Sequence, residues 1–273
     1  MKLAAAALSA SRSDAVILQQ ISCILLDNTT YMMYIYSAMI TKWQDKILKV
    51  LAGKAGDYCL GGGTALSKVY FHHRESLDLD FFTLKFSRKR ILALMEFLSG
   101  YFGKDFELIR EQQKKDKVRI MIFSAQLSKN EALKIDFIEE YIKMIKAPKD
   151  VDGICVFSLE DIYLRKIYAI AGTIDSIDLV GRNIREGGRQ EAKDFYDLYF
   201  LSHTFMNLAG FVLRYCNAAA QEALVHWFRT YSRMEIKTGL LDLRTKNKVD
   251  FRDMEKHFKK EIDCLLEKQI GRI

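Results

Sequence analysis

The stretch GGGTALSKVYFHHRESLDLDFFT, residues 61–83, decides the fold that we expect for this chain. Its glycines stand between a short strand-like segment and a short helical pattern, and a strand-like run of alternating apolar and acidic residues follows. A glycine-rich turn between a strand and a helix lets backbone N–H groups approach phosphate, and the helix N-terminus adds partial positive charge. The stretch therefore predicts a phosphate-binding turn followed by an acidic strand.

Three carboxylates fit the chemistry of such a turn. Asp78 and Asp80 lie two positions apart in the predicted strand, so their side chains share one face. Asp136, in the strand-like segment 132–141, is placed to supply the third carboxylate of a two-metal site. Mg²⁺ binds carboxylates together with substrate phosphates, so the set predicts a site for an NTP and its metal. The alternative interpretation of alternating acids is a solvated sheet face.

Outside these motifs, the chain predicts a mixed α/β or α+β fold. Periodicity predicts helices over 41–52 and 88–102, and strands over 57–60, 106–110, 117–127 and 132–141. Beyond Pro148, the only proline, the pattern turns helical, with Ser158 as an N-cap and a glycine-bearing loop at 178–188. We therefore predict an apolar helical extension over 1–40, a core over 41–150 and a helical domain over 151–273.

Composition places few limits on function. The 42 Lys and Arg against 35 Asp and Glu give a net charge of +7, which is compatible with a polyanionic partner but equally with ordinary solubility. The five cysteines are odd in number and widely spaced, without a C-x-x-C pair, so we predict buried thiols in a reducing cytoplasm.

The first 40 residues are apolar but interrupted by polar side chains. No run reaches the roughly 18 to 20 apolar residues of a membrane span, so we predict no membrane partner. Either this segment is an amphipathic helical extension or translation starts near Met39.

Four segments in order resemble the AbiEii/AbiGii toxin family of nucleotidyltransferases. GGTAL at residues 62–66 and RESLDLD at residues 74–80 resemble its glycine and D-x-D motifs. KIDFIEE at residues 134–140 resembles its second motif, with Asp136 as the third carboxylate. The segment around Lys166 and the run KDFYDLYFL at residues 193–201 resemble the two remaining motifs. The resemblance implies a nucleotidyltransferase-fold sheet lobe followed by a helical C-terminal lobe, with the NTP between them.

The resemblance also implies roles for individual residues. The phosphates of the NTP would be held by Gly62, Gly63 and Thr64, and the triphosphate charge would be neutralised by Lys166. Asp194 would orient the nucleotide or a basic partner. The remaining cofactor-binding candidates from the motifs are Arg74, Ser76 and Lys193.

Each of these residues has a structural alternative. Lys166 lies on an amphipathic helix, where it could pair with Glu160 or Asp161 or solubilise the surface. Lys193 and Asp194 could form a surface pair, Asp197 fits an ion pair with Lys193 at i, i+4, and Arg74 fits a pair with an acid near the metals. We assign no chemistry to the two histidines that precede Arg74. The basic residues Arg182, Arg185, Arg189 and Lys193 suit RNA phosphates and a solvated loop equally well.

Members of the family transfer a nucleoside monophosphate from an NTP, in several cases onto tRNA, and an antitoxin is encoded beside the toxin. The resemblance therefore implies an Mg²⁺-dependent transferase of a bacterial toxin-antitoxin or abortive-infection system, acting in the cytoplasm. Two rivals remain open: a catalytically silent module that binds a nucleotide or a partner, and a transferase acting on a protein or small-molecule hydroxyl. The intact acidic set argues against the silent module, because decay would be expected to remove a costly cluster of like charges.

Overall fold

The computed structural model describes residues 39–113, 118–129, 131–172, 174–177, 183–186, 188–246 and 248–271, without the side chains of 174–177 and 183–186. The predicted extension before residue 39 lies outside them, as does the turn at 114–117. The first element is helix α1, residues 39–51. It is followed by β1 (Cys59–Leu60), α2 (Gly62–Ala65, continued by the π-helical segment Leu66–Tyr70), β2 (Asp78–Thr83), α3 (Arg88–Phe102), β3 (Glu107–Gln112), β4 (Ile120–Ser128), β5 (Glu131–Glu139), β6 (Lys149–Val151), β7 (Ile154–Val156), α4 (Leu159–Ala171), β8 (Ile174–Ile177), β9 (Asn183–Glu186), α5 (Ala192–Thr204), α6 (Leu208–Tyr215), α7 (Ala218–Thr230), α8 (Arg233–Asp242) and α9 (Phe251–Ile270).

One mixed sheet, in the order β3-β4-β5-β2-β1-β7-β6, organises the first half of the chain. The strands β2 and β5 run parallel, as do β1 and β7, and the other neighbours are antiparallel. Helices predominate from α4 onward. The structure thus confirms the predicted mixed α/β fold class, with a sheet lobe followed by a helical one.

Burial alternates along the two central parallel strands, as their sequence predicts. Leu79 and Phe81 of β2 and Ile135 and Phe137 of β5 lie in the core, and the rings of Phe81 and Phe137 stack at 5.5 Å. The residues between them are only partly buried. Because side chains alternate across a strand, the acidic positions of both strands are presented together on the opposite face of the sheet.

Two local predictions differ from the structure. The sheet continues past Pro148, because β6 and β7 pair with each other and β7 adds to β1, so it extends six residues beyond the predicted boundary at residue 150. Part of the predicted loop 178–188 is strand β9, which pairs with β8. These strands are only three or four residues long, and their backbone groups gain partners only when two such short strands meet.

The prediction that all cysteines are thiols is wrong for two of them. Cys59 and Cys155 form a disulfide that joins β1 to β7, whereas Cys216 and Cys264 are thiols and Cys23 lies outside the described residues. Sequence spacing did not reveal the bond because its ends are 96 residues apart and meet only through the parallel pairing of the two strands.

We expect reduction of this disulfide to lower the free energy of unfolding by about 3 to 5 kcal/mol, because it closes a long loop in the unfolded chain. Urea unfolding with and without reductant would measure the loss. A protein carrying both Cys59→Ala and Cys155→Ala should not respond to reductant. Identical midpoints for the wild-type protein under both conditions would contradict the expectation.

Helix ends follow their local sequence. Ser87 and Ser158 cap α3 and α4, each accepting a hydrogen bond from the backbone N–H three residues later, as predicted for Ser158. The helix α2 contacts α4 and α5, so the glycine turn meets the helical lobe directly. Among the described helices, none is both long and apolar enough to cross a membrane.

Candidate active site

The three predicted metal-binding carboxylates come together at the junction of the two lobes. Asp80 of β2 pairs in register with Asp136 of β5, and Asp78 pairs with Lys134. All four line a cleft of about 970 Å³ that is also lined by Gly62 and by residues of α4 and α5. The parallel pairing of β2 and β5 therefore builds the acidic set that the sequence predicts.

The carboxylates are not arranged as a finished metal site. Within the described residues, no three His, Cys, Asp or Glu side chains stand where they could hold a metal ion together. The ammonium of Lys134 instead lies 3.9 Å from Asp78 Oδ1 and 3.8 Å from Asp136 Oδ2. Asp136 Oδ1 is buried and has no hydrogen-bond partner. An unpaired buried carboxylate oxygen beside two further carboxylates fits a hard divalent cation such as Mg²⁺.

Burial and mutual repulsion perturb these acids. Burial, followed by the charge of Asp80, raises the pKa of Asp136 from 3.8 to about 6. Burial, followed by the charge of Asp78, also raises the pKa of Asp80. The charged forms are therefore disfavoured until a cation compensates them.

The raised pKa of Asp136 makes the stability of the cation-free protein depend on pH. Between about pH 4 and 6 the folded protein keeps a proton on Asp136 that the unfolded chain has lost, so stability falls as pH rises through this window. We expect Asp136→Asn to gain about 2 to 3 kcal/mol relative to the wild-type protein between pH 4 and 7. Urea unfolding in EDTA at several pH values measures this, and a difference independent of pH would contradict it.

The glycine turn requires glycine for two separate reasons. Gly62 has a φ of 59°, and a Cβ there would lie 2.7 Å from Asp80 Oδ2. A Cβ on Gly63 would lie 2.3 Å from Arg74 Nη2. The glycines thus let the start of α2 approach the acidic strand, in a conformation that L side chains rarely adopt.

We expect Gly62→Ala to lower transfer activity about a hundredfold and stability by about 1 to 3 kcal/mol, because it adds backbone strain and displaces the Asp80 carboxylate. Gly100→Ala is the matched control, since Gly100 lies within α3 with open space around its Cα. The control should be neutral or slightly stabilising. Thermal unfolding and a transfer assay measure both effects, and equal behaviour of the two variants would contradict the assignment.

The hydroxyls of the motif bind the protein itself. Thr64 Oγ1 lies 2.9 Å from Ser76 Oγ and donates to the backbone oxygen of Asp78. Thr64 is fully buried and is not among the residues that line the cleft, whereas Ser76 is. These contacts tie α2 to the start of β2 and fix the distance between the glycine turn and the carboxylates.

A buried ion network joins the turn to the helical lobe. Lys166 Nζ lies 2.6 Å from Asp194 Oδ1 and 2.6 Å from Asp197 Oδ2. Arg74 donates to both oxygens of Asp197, at 2.6 and 2.7 Å. Arg189 binds Asp194 from the cleft side, at 2.5 Å. The network thus connects the segment before β2 with α4 and α5, and Arg74, Lys166 and Arg189 all line the cleft.

A match to a known protein family agrees with this arrangement of acidic strands, glycine turn and basic residues. Residues 46–268 match the family described as nucleotidyl transferase AbiEii toxin, type IV TA system. The chain is a member of the AbiEii family. It is therefore a nucleotidyltransferase, and its family implies an NTP substrate and an antitoxin partner in a type IV toxin-antitoxin system. No curated protein sequence matches the chain significantly.

Two solved structures share the fold of this AbiEii-family protein. One is a nucleotidyltransferase candidate from Helicobacter pylori, with 18% identity and a TM-score of 0.53, covering 86% of this chain and 96% of that one. The other is JHP933 from the same organism, with 18% identity and a TM-score of 0.52, covering 86% of this chain and 95% of that one. At this identity the likeness concerns the fold alone.

Several pairings differ from those weighed on the sequence of this AbiEii-family protein. Asp197 binds Arg74 and Lys166 rather than Lys193, which lies 2.9 Å from Glu191. The i, i+4 spacing predicted the wrong partner because Asp197 is fully buried at the junction of the lobes, whereas the Lys193 side chain is 39% exposed. Arg74 does pair with an acid near the acidic set, as expected.

The other helical alternatives are also resolved. The acid Asp161 does not pair with Lys166 but accepts from the backbone N–H groups of Ile145 and Lys146. Of the basic segment, Arg182 and the side chain of Arg185 lie outside the described residues. The two that are described, Arg189 and Lys193, both line the cleft.

His73, to which we assigned no chemistry from the sequence, lies in the same network. His73 Nε2 lies 2.8 Å from Asp197 Oδ1, and the ring stacks on Tyr196 at 5.7 Å. Residues 244–246, a strap in the loop after α8, pair with the backbone beside His73. The carbonyl of Arg244 accepts a hydrogen bond from the N–H of Glu75, and the N–H of Lys246 donates to the carbonyl of His73. These partners are more than 120 residues apart, and no local pattern marks them.

Proposed function

We propose that this AbiEii-family enzyme transfers a nucleoside monophosphate from an NTP to the end of a tRNA in an Mg²⁺-dependent reaction. Antitoxin binding would restrain it, and its place of action would be the bacterial cytoplasm, where tRNA and NTPs are found. One observation carries the proposal: Asp78, Asp80 and Asp136 gather on two parallel strands beside a glycine turn that opens into the cleft. We assign nucleotide binding to the sheet lobe, whose seven-stranded sheet ends at Val156, and closure of the cleft to the helical lobe that follows.

The phosphate side of the site would be formed by the turn and by Lys166. Gly62 and Gly63 bring the start of α2 to the cleft, where its first N–H groups can donate to phosphate oxygens. A lysine ammonium has three N–H donors, and Asp194 and Asp197 use two on Lys166. The third remains for the triphosphate. Asp194 would act as a positioning residue that orients Lys166 and Arg189.

The reaction forms a bond between the acceptor hydroxyl oxygen and the α-phosphorus and breaks the bond to pyrophosphate. Asp78, Asp80 and Asp136 would hold Mg²⁺, which when bound supplies an activated acceptor oxygen and charge compensation for pyrophosphate. Asp136 would also help to activate the acceptor hydroxyl, and Lys166 and Arg189 would compensate charge on the departing phosphates.

A tRNA acceptor is supported by four cations on the cleft wall, which acidic residues such as Glu139, Glu140 and Asp242 also line. The basic residues Arg110, Arg189, Lys193 and Arg244 line it around the acidic set. They lie on separate elements, β3, the approach to α5, α5 itself and the strap, so they can follow a phosphate backbone across the mouth of the cleft. A small-molecule acceptor would have little use for cations so widely spread.

The test is incubation of the purified protein with total tRNA, Mg²⁺ and each of the four α-³²P-labelled NTPs in turn. Asp80→Asn is the inactive control, and Asp263→Asn is the matched control because Asp263 is exposed on α9. We expect label on RNA with the wild-type protein and with Asp263→Asn only. Label on the protein instead of the RNA would show that the acceptor is a protein rather than tRNA. Absence of label with all four NTPs would overturn the proposed transfer reaction.

A further inference from the structure

We infer that Lys134 is a built-in counter-ion that occupies the cation position among the carboxylates and so weakens metal binding until the nucleotide arrives. The inference rests on the proposed function of this site and gives a role to Lys134, the first residue of the second motif, to which the resemblance assigned none. It begins from geometry: the Lys134 ammonium lies within 4 Å of Asp78 and of Asp136. Of the described cations, no other lies so close to either carboxylate.

The position of Lys134 follows from the strand pairing. Lys134 and Asp136 are two residues apart in β5 and share a face, while Asp78 is the register partner of Lys134 on β2. The ammonium therefore approaches between the two strands, at the level where a bridging cation would sit. Its distances of 3.8 and 3.9 Å are too long for hydrogen bonds, so the lysine compensates charge without saturating the carboxylate oxygens.

Two observations indicate that the lysine can give way to a metal. Asp136 keeps one buried oxygen unpaired beside the ammonium. The Lys134 side chain is 40% exposed, so it can swing into the cleft at small cost. A divalent cation carries twice the charge of the ammonium, and Asp78, Asp80 and Asp136 would all be available to hold it, whereas the ammonium reaches two of them. Nucleotide phosphates favour the exchange, because they ligate the metal and offer the displaced ammonium a new partner.

The alternative role of Lys134 is an ordinary cross-strand ion pair with Asp78. Such a pair is weak at an exposed position, so it contributes a little to sheet stability and would change metal affinity only slightly. The two roles therefore differ in what happens to metal binding when the charge is removed. A counter-ion predicts tighter binding, since the metal no longer competes with a fixed positive charge.

The experiment is titration of nucleotide-free protein with Mn²⁺, followed by the electron paramagnetic resonance signal of free Mn²⁺. We expect Lys134→Met to bind Mn²⁺ about tenfold more tightly than the wild-type protein, and Lys134→Arg to bind within about twofold of it. Lys89→Met is the matched control, because Lys89 is exposed on α3, and it should behave as wild type. Adding Asp136→Asn to Lys134→Met should abolish the gain. Circular dichroism verifies that each variant is folded.

Unchanged or weaker Mn²⁺ binding by folded Lys134→Met would overturn the inference, as would absence of binding in every variant. The readout needs neither NTP nor acceptor, so it separates this inference from the proposed transfer reaction. A transfer assay that fails while Lys134→Met still gains Mn²⁺ affinity would overturn the proposed function alone. A wild-type enzyme that transfers label while Lys134→Met gains no affinity would overturn the counter-ion alone.

Discussion

Asp80→Asn should abolish nucleotidyl transfer, lowering the rate about a thousandfold, while it raises the melting temperature. The loss follows from the position of Asp80 at the centre of the acidic set, in register with Asp136 and against Gly62. An amide keeps the shape but removes the charge that a divalent cation and the transition state require. The gain in stability follows because burial, and then the charge of Asp78, raises the pKa of Asp80. A neutral side chain relieves both costs.

Opposite movement of activity and stability distinguishes this prediction from simple misfolding. Initial rates of label transfer and thermal unfolding in EDTA should be measured on the same preparations. Asp263→Asn, an exposed acid on α9, should change neither quantity. A variant that keeps more than a tenth of the wild-type rate, or that melts at a lower temperature, would contradict the assignment of Asp80.

Asp197→Asn should cost about 3 to 5 kcal/mol of folding free energy, the largest stability effect that we expect of a single charge in this protein. Asp197 is fully buried and binds the guanidinium of Arg74 with both oxygens, the ammonium of Lys166 and the ring of His73. Removing its charge leaves two cations buried with less compensation. Activity should fall as well, because Arg74 and Lys166 both line the cleft.

The pH dependence of this effect has a definite sign. Burial alone would raise the pKa of Asp197, but the charges of Arg74 and Lys166 outweigh it and hold the pKa well below its ordinary value. The stability that Asp197 supplies is therefore complete above its unfolded pKa of about 3.9 and is lost as pH falls through the lower folded value. Urea unfolding at pH 7 measures the cost. Asp105→Asn, at an exposed position, is the control, and an equal effect of the two variants would contradict the network.

The sheet lobe could be predicted well because its signals are local. Alternation of acids with Leu79 and Phe81, and of Lys134 and Asp136 with their apolar neighbours, fixes which face of each strand is buried. Caps such as Ser158 depend on a few adjacent residues. Segments 149–156 and 183–186 were harder, since such short strands form only when a partner strand is present.

Two features of the site illustrate what the sequence could not supply. The disulfide between Cys59 and Cys155 depends on β1 meeting β7, and the counter-ion role inferred for Lys134 depends on β2 meeting β5 in one register. A shift of either register by one residue would turn these side chains to the other face. Spacing along the chain carries no information about such pairings.

By itself, the sequence determined the alternation, the glycine turn and the set of acids, because these depend on neighbours within a few residues. Only the tertiary structure decided which charges meet. The i, i+4 spacing favours a pair of Asp197 with Lys193, yet Asp197 lies buried against Arg74 and Lys166 from distant segments. The physical reason is that a buried carboxylate must be compensated by whichever cations the folded chain brings to it, and desolvation makes those distant pairs stronger than any exposed pair along the helix.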